Sequence, residues 1–196
     1  MGLLSILFWI GCIVSEAPLA EPEHATDGSA LIGSWESLGK PGDEVVSTQF
    51  VFEKPPEGWP SRTLKVSSET RRTDGTMDRG QTIAYLVKVG DAEYLHLLNL
   101  TPEALKELDY PSWREKEVRD FQIWSIRRSD KAFELFAADQ EKLSATIEAE
   151  VSGGLDRDQI AKVRERLRKD GPGSIFQDQV FMKFDQKETP PPEKSR

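Results

Sequence analysis

Between residues 31 and 184, apolar and polar side chains alternate in short runs, and each run stops at a turn signal. A period of two places successive side chains on opposite faces of a strand, so such a chain can bury one face of an antiparallel sheet and wet the other. Eight runs have this pattern: residues 31–38, 45–54, 62–72, 81–89, 93–100, 118–128, 131–138 and 174–184. In the second, Val46, Thr48, Phe50 and Phe52 share a face. The third is polar except for Leu64 and Val66, which suits an exposed or edge position. Gly39-Lys40-Pro41-Gly42, Pro55-Pro56 with Gly58, Asp74-Gly75, Gly90-Asp91 and Ser129-Asp130 supply the breaks. The pattern predicts a meander with a late return.

Two segments change period to that of a helix. Thr101 can cap a helix over 102–109 that opens with Pro102 and Glu103, turns Leu105 and Leu108 inward and ends by Pro111. Asp156 with Gln159 three residues on forms a capping box for a helix over 156–169, whose Ile160, Val163 and Leu167 share one side and which Gly171-Pro172 stops. Leu143 and Ile147 mark a shorter helical turn before it.

The chain of 196 residues carries a formal charge of −8, which excludes a general nucleic-acid binder, because phosphate binding needs a surplus of Lys and Arg on some face. One cysteine, Cys12, rules out an intrachain disulfide, and with two histidines no His/Cys metal site or cofactor motif can be read. No nucleophile motif is present either, so no catalytic residue is assigned and the chain reads as a non-enzyme.

Residues 3–14 are apolar apart from Ser5, Gly11 and Cys12, too short a run to span a bilayer but suited to a secretory signal. Trp9-Ile10-Gly11-Cys12 resembles the lipobox of bacterial lipoproteins, which implies lipidation of Cys12 and a cell-envelope protein anchored to a membrane through its N-terminus. An ordinary signal cleaved around Ser15-Glu16-Ala17 is the competing reading, and it releases the domain. The expected layout is a leader over 1–14, a flexible tether over 15–29, a domain over 30–185 and a disordered tail over 186–196.

Gly33-Ser34-Trp35 on the first of eight strands resembles the opening Gly-x-Trp of the lipocalin and wider calycin barrels. That resemblance implies a mostly β, eight-stranded antiparallel barrel with two helical insertions. It also implies that Trp35 plugs the closed end beneath a basic side chain, for which Arg127, Arg128 and Lys183 are available. The family's second signature, a Thr-Asp pair with a downstream Tyr, has no counterpart after Thr73-Asp74.

An eight-stranded barrel is the size at which side chains fill the lumen or leave room for one small ligand. Phe50, Phe52, Tyr85, Tyr94, His96, Phe121 and Trp124 are the residues expected to line such a cavity for a small apolar or amphipathic ligand. The alternative is a filled barrel that acts as a protein-interaction module in the cell envelope.

Overall fold

The computed structural model describes residues 12–40, 42–98, 100, 110–114, 120–151 and 154–187. Among them are nine strands: β1 (Ile13–Ser15), β2 (Gly33–Leu38), β3 (Val45–Glu53), β4 (Leu64–Arg72), β5 (Met77–Val89), β6 (Ala92–Leu98), β7 (Phe121–Arg128), β8 (Ala132–Ala138) and β9 (Phe176–Gln186). Three α-helices accompany them: α1 (Tyr110–Arg114), α2 (Gln140–Ile147) and α3 (Arg157–Asp170). From β2 to β9 each strand pairs antiparallel with the next, and β9 pairs back onto β2, so eight strands close a barrel.

Closure corrects the edge position expected for residues 62–72. β4 has β3 on one side and β5 on the other, and its polarity belongs to one wet face, while Leu64, Val66 and Thr70 are buried on the other. β5 starts at Met77, earlier than the alternation suggested, because the hairpin keeps pairing up to Arg71 opposite Met77. Gly75 turns that hairpin at φ +84°, a conformation that side chains oppose.

β1 comes from the stretch read as leader. The first half of β7 pairs with β1, Ile13 opposite Ile123, and its second half with β8, Ser125 opposite Phe136. β1 therefore occupies the edge of β7 that β8 leaves. The expected flexible tether is also corrected: the Glu16 N–H donates to Leu155 O at 2.9 Å, the Thr26 N–H to Leu86 O at 2.8 Å, and Leu19 and Ala25 are wholly buried. These side chains cover an apolar sheet face that would otherwise meet water.

The barrel wall separates two cores. Inside lie Trp35, Phe50, Phe52, Leu64, Val66, Leu86, Leu95, Trp124, Phe133 and Phe184; outside, over β5, β6 and β7, Tyr85, Tyr94 and Phe121 pack with Leu19, Trp59, Trp113 and the buried faces of α2 and α3. Strands covered on both sides lose their alternation, and Ile83 to Val87 are all buried.

α3 begins at the expected capping box, with the Gln159 N–H donating to Asp156 Oδ1 at 2.8 Å and the Asp156 N–H to Gln159 Oε1 at 3.0 Å. Ile160, Val163 and Leu167 are its buried face. The turn expected around Leu143 and Ile147 is α2, capped by Asp139. The helix expected over 102–109 lies outside the described residues; α1 follows it and contains Pro111 in its first turn, where the missing N–H costs nothing. Residues 188–196 of the tail are likewise outside, whereas Gln186 and Lys187 are still tied to the barrel through Lys131 O and Ser34 O.

Candidate functional site

Trp35 sits 1% exposed at the start of β2, after Gly33 at φ +136°. Its indole N–H donates to Leu31 O at 2.7 Å and its ring meets Phe133 edge-on at 5.2 Å. Of the basic side chains available as its partner, Arg128, opposite Phe133 in the register, makes a two-pronged pair with Glu93, Arg127 pairs with Glu134 and lies over Phe136, and Lys183 pairs with Asp185. Phe133 stacks on Phe184 at 4.7 Å, Phe184 on Phe50 at 4.8 Å, and Phe52 meets Phe133 at 6.0 Å. This aromatic stack fills the lower lumen.

One register step above it the inward row changes character. Trp35 faces Phe50 and Ser68 across β2, β3 and β4; the next row is Ser37, Thr48 and Thr70. All three are buried, and Thr48 Oγ1 and Thr70 Oγ1 lie 3.3 Å apart within hydrogen-bond reach. They form the floor of a cavity of about 490 Å³ that opens at the mouth, within the size range of small-molecule sites. Val180, Phe181 and Met182 form one wall, and Leu38, Lys40, Asp43 and Glu44 belong to the rim.

The cavity exists because β2 and β9 part. Their pairing covers only Trp35 with Gln186 and Glu36 with Asp185. On its other side β9 bulges: Leu135 faces Met182 but the next residue, Phe136, faces Val180, so Phe181 is the extra residue. A bulge on β3 likewise turns Val46 out, 44% exposed, which breaks the face it was expected to share with Thr48, Phe50 and Phe52.

The seven residues expected to line a lumen cavity are divided by the wall. Phe50, Phe52 and Trp124 point inward, but as core beneath the cavity, and Phe181 stacks on Trp124 at 5.4 Å. Tyr85, Tyr94 and Phe121 belong to the outer core, and His96 stacks on Tyr85 at 4.9 Å and meets Phe121 edge-on, so these four line no lumen. Burial pushes the His96 imidazole down to about 3 and raises the Tyr94 hydroxyl, so at neutral pH both are uncharged. Cys12 is buried among the inner residues, its thiol pushed up to about 12 by burial. Among the described residues no three His, Cys, Asp or Glu side chains converge as metal ligands do.

Ser37 and Thr70 were not legible as site residues. Thr48 stood in view as a hydroxyl on an apolar face, and a polar residue at an inward position is the signal that could have led to the row. Comparison with protein-family models, curated proteins and solved structures returned no match.

Proposed function

We propose that the protein is a lipocalin-like binding module that holds one small amphipathic ligand at the mouth of its barrel, not deep in the lumen. The observation that carries this reading is the cavity of about 490 Å³ floored by the buried row Ser37, Thr48 and Thr70, at the level where the aromatic core ends. A barrel with no ligand gains by filling that row with aliphatic side chains; hydroxyls kept there favour a guest that hydrogen-bonds.

An environment-sensitive neutral dye, Nile red, tests it. The wild-type chain binds the dye with a saturable blue shift, and Thr48→Leu, which occupies the cavity, abolishes the shift while melting at the wild-type temperature or above. Dye binding unaffected by Thr48→Leu removes the mouth as the site. A barrel that binds no dye and no lipid passenger by native mass spectrometry is instead the envelope interaction module, for which Leu38 and Phe181, exposed on the rim, are the apolar contacts.

Export remains part of the proposal and stands on residues 3–14. Cleavage between Gly11 and Cys12 keeps β1 whole, whereas cleavage past Ala17 removes it. We favour the first for that reason; anchoring through Cys12 then requires its thiol, buried among the inner residues, to turn out of the core to carry a lipid. Intact mass from a bacterial envelope tests it: a diacylglyceryl increment on Cys12 supports anchoring, and an N-terminus beyond Ala17 refutes it.

A further inference from the structure

Given that the mouth binds an amphipathic ligand, as proposed above, we infer that the ligand enters head first and that its head group is uncharged and bears hydroxyls, as in a monoacylglycerol or a long-chain alcohol. The floor decides the head. Thr48 and Thr70 share one hydrogen bond between two hydroxyls, which leaves a donor and several lone pairs for a guest.

The charges decide against an ion. Among the described lining residues the only cation is Lys40 and the only carboxylates are Asp43 and Glu44, all three exposed at the rim. The guanidinium of Arg72, next inward residue along β4 from Thr70, is held by Asp78 at 2.9 Å, with Glu44 at 3.9 Å. Asp78 stands opposite Thr70 and Arg72 one step along, but these two already pair with each other, so an ammonium or carboxylate carried down to the hydroxyl row would lose its water and have to compete for a counter-charge already taken. A hydroxylated head exchanges water for the threonines at little cost.

The tail then leaves through the mouth, and its path is apolar. Leu38 is 73% exposed and Phe181 37% exposed, and with Val180 and Met182 they stand between the floor and solvent. A chain lying over them removes this apolar surface from water. The reverse orientation would set an alkyl end on hydroxyls and leave the rim bare.

Displacement of Nile red from the whole chain at pH 7.5 separates these readings. The competitors are 1-monododecanoylglycerol, dodecanoate and dodecyltrimethylammonium, each below its micelle concentration. The monoglyceride displaces the dye at a concentration about tenfold or more below either ion, and Thr48→Val with Thr70→Val, which keeps the branched shape, raises that concentration about tenfold. Dye affinity of this variant is titrated directly, and the displacing concentrations are corrected for any change in it. Dodecanoate or the ammonium competing as well as the monoglyceride overturns the neutral head. Discrimination that survives the double valine variant overturns its placement on the floor. Failure of the dye and of all three amphipaths to bind sinks the binding reading as a whole.

Discussion

The main-chain N–H of Leu19 donates to Nε2 of His96 at 3.1 Å, and so an imidazole in the middle of β6 holds the N-terminal segment against the outside of the barrel. Tyr85, stacked on the same imidazole, donates from its hydroxyl to Ala20 O at 3.1 Å. The bond to Leu19 requires Nε2 to be unprotonated, because only a lone pair can accept.

Stability should therefore fall on acidification. In the unfolded chain His96 takes a proton below about pH 6.5, whereas in the fold burial holds it neutral to about 3. Between these values the unfolded state binds the extra proton, so the stabilising contribution is complete above pH 6.5 and is lost as pH falls towards 3. The loss approaches about 1.4 kcal/mol per pH unit in that window, on the order of 2 kcal/mol by pH 5. Urea denaturation of wild type and His96→Gln at pH 7.5 and 5.0 checks it: the Gln variant should be weaker at pH 7.5 and lack this share of the acid sensitivity. Equal slopes in the two proteins would refute the assignment.

Removing residues 1–17 should cost more stability than removing residues 1–11. The longer deletion takes Ile13, 1% exposed, from the outer core and strips β7 of its partner over Phe121 to Ile123. Burial of one isoleucine alone contributes about 1.5–3 kcal/mol. A drop of at least that size in the urea midpoint energy for the longer deletion is the expected result, and equal midpoints for both would show β1 to be dispensable.

Trp35→Phe keeps an aromatic ring against Phe133 but leaves Leu31 O without the indole N–H. The expected cost is about 1–3 kcal/mol, the range for a buried acceptor left unsatisfied. Trp35→Ala adds a cavity and should cost about 3–5 kcal/mol. Thermal melts of both variants order them; a neutral Phe substitution would mean that the carbonyl finds water.

Asp156→Ala removes the acceptor for the Gln159 N–H at the start of α3. Loss of such a cap costs about 1 kcal/mol. Hydrogen exchange should quicken in the first turn of α3 and leave β3 and β4 unaltered.

Much of the architecture was readable because a strand with one wet face writes its period into the sequence. β2, β3, β4, β8 and β9 are legible within a few residues of their ends, as is α3 from Asp156 and Gln159, whereas Leu143 and Ile147 mark a turn of α2 without its bounds. β5, β6 and β7 were found as strands, but their orientation was not, because Ile83, Ala84, Tyr85, Leu86 and Val87 are all buried and an unbroken apolar run does not say which face is inside. Tyr85, Tyr94, His96 and Phe121 were placed in the lumen for that reason and belong outside it.

The amino-acid sequence by itself determined the local terms: the alternation that makes eight barrel strands, the caps of α3, the turn at Asp74-Gly75, the acidic charge and the single cysteine. Only the tertiary structure decided what depends on pairing between distant segments. Ile13 joins β7 across more than a hundred residues, His96 holds Leu19, and β9 bulges at Phe181 and meets β2 only at Asp185 and Gln186. Register is a property of two strands together, so the mouth cavity that it opens over Ser37, Thr48 and Thr70 has no signature in any one of them.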